Sequence, residues 1–212
     1  MAGILDVLNS DLGKQIVHGV SNETGTSQGK TNDVLTMAMP VLLHAMQRNA
    51  SDTNGANNLL SALDTDHDGS ILDNLQDLFL GGVNPGVKTD GDKILGHILG
   101  NNRPRVESAL SQQSGINADT IANILQVAAP ILLGLLGKEK RQANVSSQSG
   151  LEGLLGGLLK GSSSHHEKSF LETILDSNGD GSIIDDVAGM VLGNKDNKQN
   201  GMGGLLGDLL GK

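Results

Sequence analysis

The chain has 212 residues, enough for one large domain or two small ones, and its formal net charge of −9 argues against the basic surface of a nucleic-acid-binding protein. It contains no Cys, which excludes disulfides, thiolate metal sites and Cys nucleophiles. Phe79 and Phe170 are its only Phe, Tyr or Trp residues, so the core must consist of aliphatic side chains and Met, which suit helices.

The N-terminal segment, MAGILDVLNSDLGKQ, has neither the basic start nor the apolar run of a secretory signal. The densest apolar stretch, Leu125 to Leu136, is about twelve residues long. A membrane-spanning helix needs roughly 20 apolar residues. We therefore expect no transmembrane segment and a cytoplasmic location.

A repeated segment organises much of the chain. Ile16–Leu43 aligns with Val106–Leu133 at a constant offset of 90 residues, without a gap. The alignment pairs a Ser, a Gly and a Pro: Ser21 with Ser111, Gly25 with Gly115, and Pro40 with Pro130. The pattern predicts a helix, a Gly-containing turn and a second apolar helix kinked by an internal Pro, built twice by tandem duplication.

An acidic loop, DTDHDGSILDNL, follows the first copy at residues 64–75. Oxygen side chains at loop positions 1, 3 and 5 precede a Gly, which is the opening of an EF-hand calcium loop. Calcium takes about six to eight oxygen ligands, and the Gly permits the turn that aims the position-7 carbonyl at the ion. The predicted ligands are Asp64, Asp66, Asp68, the carbonyl of Ser70, and Asp73.

A second acidic loop, DSNGDGSIIDDV at residues 176–187, stands 112 residues further along. Its predicted ligands are Asp176, Asn178, Asp180, the carbonyl of Ser182, and Asp185. Neither loop has the bidentate Glu of a standard EF-hand at position 12, where Leu75 and Val187 stand. Asp73 in one loop, and Asp185 or Asp186 in the other, would supply that carboxylate if the following helix starts early. A polar turn between helices is the alternative for both loops.

Two Gly- and Leu-rich segments lie in the second half, GLEGLLGGLLKG at 150–161 and GMGGLLGDLLGK at 201–212. The two repeat offsets, 90 and 112, place the first of them in an insertion at about 143–164. Because Gly weakens a helix, we expect adhesive tails that order on docking, or flexible linkers. Their leucines would either mediate self-association or dock onto their own chain; they are Leu151, Leu154, Leu155, Leu158, Leu205, Leu206 and Leu209.

Other motifs give little support for catalysis. His165 and His166 stand beside Glu167 in a Ser-rich linker, without the helical spacing of a zinc-binding pair. His67 occupies the non-liganding position 4 of the first acidic loop, and we expect it to face solvent. The sequence contains no G-x-S-x-G elbow and no phosphate-binding loop of the G-x-x-x-x-G-K-[ST] type. We therefore do not expect an enzyme.

The opening AGILDVL, the twice-occurring pattern S-x-x-[TS]-G…[AM]-P-[VI]-L-L and the GLEGLLGGLLKG segment resemble the YidB-like bacterial proteins, a domain of unknown function. The resemblance covers roughly residues 1–195. It implies a multihelical, cytoplasmic protein and brings no catalytic residues with it.

These patterns predict an all-α, multihelical protein, made by tandem duplication of a helical unit with an EF-hand-like acidic loop in each half. The predicted division is a first unit at 1–95, a second unit at 96–195 and a Gly/Leu-rich tail at 196–212.

The favoured function is a non-enzymatic calcium-binding structural or interaction protein, which self-associates or binds a protein partner. Calcium would relieve repulsion among the clustered Asp side chains, fix the angle between the flanking helices and present an apolar surface. Two alternatives stay open: a membrane-surface or envelope-associated accessory protein, and an enzyme of unknown class that uses a cleft between the units.

Overall fold

The computed structural model describes residues 3–160, which lie in the first of two units, Met1–Ile174 and Leu175–Lys212. Every regular element in this range is a helix, so the all-helical prediction is confirmed for it. The second acidic loop at 176–187, the tail at 196–212 and the pair His165 and His166 lie outside the described residues.

Residues 3–160 form ten α-helices, with a short 3-10 turn, Gly100–Asn102, before the eighth. The helices are Ile4–Asn9 (α1), Asp11–Thr24 (α2), Gln28–Asn49 (α3), Thr53–Thr65 (α4), Ser70–Asp73 (α5), Leu75–Phe79 (α6), Pro85–Leu99 (α7), Arg103–Ser114 (α8), Ala118–Gln142 (α9) and Gln148–Leu158 (α10).

Polar side chains fix the start of five of these helices. In each, the residue before the helix accepts a hydrogen bond, through its side-chain oxygen, from the backbone N–H three residues further on. These residues are Ser10 for α2, Ser27 for α3, Asp52 for α4, Asn117 for α9 and Ser147 for α10. Each cap satisfies an amide that has no partner inside its helix, so the helix start is set locally by the sequence.

Helix α9 is the centre of the fold. Its residues 127–137 are all buried, and α2, α3, α4, α5, α7, α8 and α10 all contact it. Burial of a single Leu or Ile side chain contributes roughly 1.5–3 kcal/mol, so a helix buried on all sides contributes a large part of the apolar stabilisation.

Helix α9 is long and apolar enough to be a candidate membrane span. It has 25 residues, and the mean hydropathy of its most apolar window is 1.8. The helix is longer than the apolar stretch at 125–136 because it continues on both sides of it. In the fold, 78% of that window is buried by the other helices. The core of a water-soluble protein uses such a helix in the same way, so its length is weak evidence for a membrane role.

The two predicted copies of the repeated segment have the same local geometry. Gly25 after α2 and Gly115 after α8 both take left-handed backbone angles, with φ of 65° and 67°. In the first copy the Ser21 hydroxyl donates to the carbonyl of Thr26, and in the second the Ser111 hydroxyl donates to the carbonyl five residues on, both at 2.5 Å. In both copies the chain therefore passes from the first helix to the second through a left-handed glycine and the same serine hydrogen bond.

Pro40 and Pro130 lie inside α3 and α9, as predicted, and both are buried. Each helix continues beyond its proline, to Asn49 and to Gln142. A proline in a helix interior leaves one carbonyl without its usual amide partner, so the surrounding packing must hold the helix together there.

The predicted boundary between residues 95 and 96 falls inside α7. Within the described residues, apolar side chains from both sides of this boundary belong to one continuous core that runs from Ile4 to Leu158. Helix α7 therefore joins the two predicted units.

Helix α10 comprises most of the first Gly- and Leu-rich segment. Its leucines 151, 154, 155 and 158 are at most 2% exposed and lie in the same core, on α3, α4 and α9. The Gln148 side chain ties the start of the helix to the rest of the fold by donating to the carbonyls of Ala50 and Ser51, at 3.2 and 3.0 Å. We expected these leucines either to mediate self-association or to dock onto their own chain. In the structure they dock onto their own chain.

The buried hydroxyl of Thr31 gives a stability prediction. It has no hydrogen-bond partner within the described part of the chain, and the corresponding position of the second copy is Ile121. An unpaired buried hydroxyl costs about 1 kcal/mol or more, so Thr31→Val is expected to raise the free energy of unfolding by about 1 kcal/mol. Urea unfolding measures the change.

Thr24→Val is the matched control, because the Thr24 hydroxyl donates to the carbonyl of Val20 at 2.8 Å. It should give no such gain. A Thr31→Val variant that is no more stable than the wild-type chain would contradict the assignment of this hydroxyl as unpaired.

Candidate functional site

The first acidic loop lies between α4 and α5. Helix α4 ends at Thr65, Asp66 caps it, and α5 begins at Ser70, the seventh position of the predicted loop. Gly69 has a φ of 99°, in the left-handed region, so the turn predicted at this glycine is present. The early start of α5 places Asp73 at the end of that short helix.

Two glycines of α9 let the loop approach closely. A β-carbon at Gly137 would overlap the carbonyl oxygen of His67, and one at Gly134 would overlap the side chain of Ile71. The loop backbone therefore lies directly on the surface of α9, where any larger residue would push it away.

Two cationic side chains in the last turn of α9 compensate the loop carboxylates. The ammonium group of Lys140 is paired with Asp64; the Lys140 side chain is only 6% exposed, whereas that of Asp64 is 58% exposed. A buried ammonium group needs a close counter-ion, so Asp64 is the group that allows Lys140 to remain in the core.

Arg141 forms the second pair, with its Nη1 at 3.0 Å from Oδ2 of Asp68. The other carboxylate oxygen of Asp68 accepts from the backbone N–H of Ser70, also at 3.0 Å. The hydrogen bonds from Ser70, backbone first, and then the charge of Arg141 hold the pKa of Asp68 below its ordinary value. The Asp68 carboxylate therefore stays ionised.

The carboxylates predicted as ligands in this loop therefore lie in two different environments. Asp64 and Asp68 meet the cations of α9, whereas Asp66 and Asp73 are solvent-exposed. Over residues 3–160 the structure contains no group of three or more Asp, Glu or His side chains placed to hold a metal ion. Leu75, at the position of the usual Glu, is buried in the core.

The second set of predicted ligands lies outside the described residues: Asp176, Asn178, Asp180, Ser182 and Asp185.

His67 differs from its prediction. It is 8% exposed rather than solvent-facing, because the loop folds back onto α9 and turns position 4 inward. Its Nε2 lies 3.6 Å from Oδ2 of Asp90 on α7, slightly beyond hydrogen-bond distance.

Sequence reasoning missed Lys140 and Arg141. The available signal is the cluster KEKR at residues 138–141, which places three cations within four residues of an acidic chain. Cations at the C-terminal end of a helix are favoured by the helix dipole, so the cluster can be explained locally. The sequence therefore gives no sign that it contacts residues 64 and 68.

The described residues therefore define an all-helical protein with a charge-compensated acidic loop. The family model for bacterial proteins of unknown function (DUF937) matches residues 6–139 and again 140–212, and the chain belongs to this family. The finding agrees with the resemblance to YidB-like proteins of unknown function. No curated protein and no solved structure matches the chain.

The buried pair gives a second stability prediction. Asp64→Asn removes the counter-ion of Lys140 and is expected to lower the free energy of unfolding by about 1–2 kcal/mol, less than for a fully buried pair because Asp64 is half-exposed. Adding Lys140→Met should restore most of the loss, since the apolar side chain needs no partner. Urea unfolding compares the variants.

Asp66→Asn is the control, because it removes the same charge from an exposed residue two positions away. It should change stability by about 0.5 kcal/mol or less. Equal stability of the Asp64 and Asp66 variants would mean that burial of Lys140 does not require the Asp64 carboxylate.

Proposed function

We propose that this chain is a non-enzymatic calcium-binding interaction protein of the bacterial cytoplasm, in which calcium replaces internal cations at the acidic loop. The observation that carries the proposal is the pairing of Lys140 with Asp64 and of Arg141 with Asp68. These are the carboxylates at loop positions 1 and 5, and each is held by positive charge.

The physical reason is charge repulsion. Asp64, Asp66 and Asp68 lie within five residues, and like charges at this spacing raise the energy of the loop unless cations are near. A calcium ion supplies two positive charges to one cluster of oxygens and would gather Asp66 and Asp73 as well, with water completing its shell. Lys140 and Arg141 would then lose their partners.

Loss of the Asp64 partner has a consequence beyond the loop. A buried ammonium group without a counter-ion is costly, so Lys140 would have to move toward solvent. Its backbone carbonyl accepts from Val145, in the segment that leads into α10. Movement at the end of α9 would therefore reach α10 and change how its leucines are covered, which is how calcium would regulate contact with a partner.

We further propose that the two halves arose by duplication, so that the loop at 176–187 binds a second calcium ion. The equal glycine turns after α2 and α8, and the equal positions of Pro40 and Pro130, support a common origin. The repeated D-x-[DN]-x-D-G spacing supports a shared ligand.

Calorimetric titration of the full chain with calcium tests the exchange. We expect about two sites per chain, one of which is lost in Asp64→Asn with Asp68→Asn, and the other in Asp176→Asn with Asp180→Asn. Arg141→Gln removes a partly exposed competitor of the ion and is expected to strengthen binding at the first site about two- to fivefold.

Lys14→Gln is the control for Arg141→Gln, because it removes one positive charge from an exposed pair with Asp11 on α2. It should leave calcium affinity unchanged. Absence of heat at millimolar calcium, or a first site that survives loss of Asp64 and Asp68, refutes the proposal.

Self-association through the tail at 201–212 is the second part of the proposed function. The tail has the same Gly and Leu pattern as 150–161, the segment that supplies α10 and buries its leucines on other helices. A segment of this kind is suited to pack into a helical groove, and we propose that the tail occupies such a groove of a second copy.

Light scattering measures the mass of the assembly and so tests self-association. Leu205→Asp with Leu209→Asp is expected to reduce the mass of the assembly to that of one chain while circular dichroism stays unchanged. The matched pair Leu154→Asp with Leu158→Asp introduces the same charges into the buried stripe of α10, so it should instead destabilise the fold. A wild-type chain that is monomeric at high concentration rules out association.

A further inference from the structure

A cavity of about 300 Å³ lies between α4 and α7. Its apolar lining includes Met46 of α3, Leu59 of α4, Ile94 and Ile98 of α7, and Leu133 of α9. The cavity therefore has apolar surfaces on four helices, and its volume is at the lower end of the range of small-molecule sites.

Lys93 is the one charged side chain among the described residues that line this cavity, and its other polar side chains include those of Asn49 and Asn58. Lys93 and His97 line it from α7, and His67 lines it from the acidic loop, whereas no Asp or Glu is among its described lining residues. This is unusual in a chain whose formal net charge is −9. A positive charge beside an apolar interior favours a ligand with an anionic head and an apolar body.

Lys93 and His97 are placed to meet such a head group. They are four residues apart on α7, so they lie on one face of the helix, and both are exposed although they line the cavity. They therefore stand at its mouth, whereas His67 is buried. A charge-assisted hydrogen bond from the ammonium group of Lys93 to a carboxylate is among the stronger polar contacts in proteins, and the ring N–H of His97 can donate a second hydrogen bond.

We propose that this cavity binds a small aliphatic monocarboxylate, with the carboxylate between Lys93 and His97 and the hydrocarbon chain against Met46, Leu59 and Ile98. Asp90 of α7 lies 3.6 Å from the ring of His67 and is not among the described lining residues of the cavity. The site is separate from the calcium ligands, although His67 belongs to both the loop and the cavity wall.

Calorimetry on the full chain, with sodium octanoate as the probe, tests the proposal. Octylammonium is the matched ligand, because it has the same hydrocarbon chain and the opposite charge. Octanoate is expected to bind at concentrations below those at which it forms micelles, and octylammonium at least about tenfold more weakly. Equal affinities for the two would overturn the proposal.

Two variants locate the site. Lys93→Gln with His97→Gln removes the exposed donors and should weaken octanoate binding about tenfold, whereas Lys30→Gln, an exposed charge on α3 that does not line the cavity, should leave it unchanged. Ala62→Leu fills the cavity from α4 and should abolish binding. Circular dichroism confirms that each variant is folded. Octanoate binding that is unchanged in both cavity variants would place the ligand elsewhere and refute the assignment.

Discussion

The structure of the described residues depends on the burial of α9. This helix is apolar around most of its circumference, so it is stable only when other helices surround it. Seven of the described helices contact it. The glycines at 134 and 137 leave room on its surface for the acidic loop, with the loop backbone at Gly137 and the side chain of Ile71 on α5 at Gly134.

The position of the loop determines its electrostatics. Because it lies beside the last turns of α9, its carboxylates meet cations that the helix dipole already favours there. The result is an acidic segment in which Asp64 and Asp68 are paired inside the chain, with Lys140 buried and Arg141 at the surface. A divalent ion would have to compete with these groups, so the proposed calcium affinity and the packing of the end of α9 are linked.

His67 connects the loop to the cavity between α4 and α7. The loop turns it inward, where it lines the cavity and lies near Asp90. A change in the path of the loop would therefore alter the cavity wall, and a ligand in the cavity would restrain the loop. The acidic loop and the cavity wall share this one residue, which gives a physical route for coupling between the two proposed sites.

The sequence by itself determined the helical class and the glycine turns after α2 and α8, because turns and apolar periodicity act within a few residues. Only the tertiary structure decided the partners of Asp64 and Asp68, the burial of His67 and the docking of α10. Those contacts join residues more than seventy positions apart in the first case and ninety-seven or more for Gln148, and no local pattern encodes them. The apolar stripe of α10 predicted burial, but it could not specify whether its own chain or another would cover it, because hydrophobic attraction has no direction.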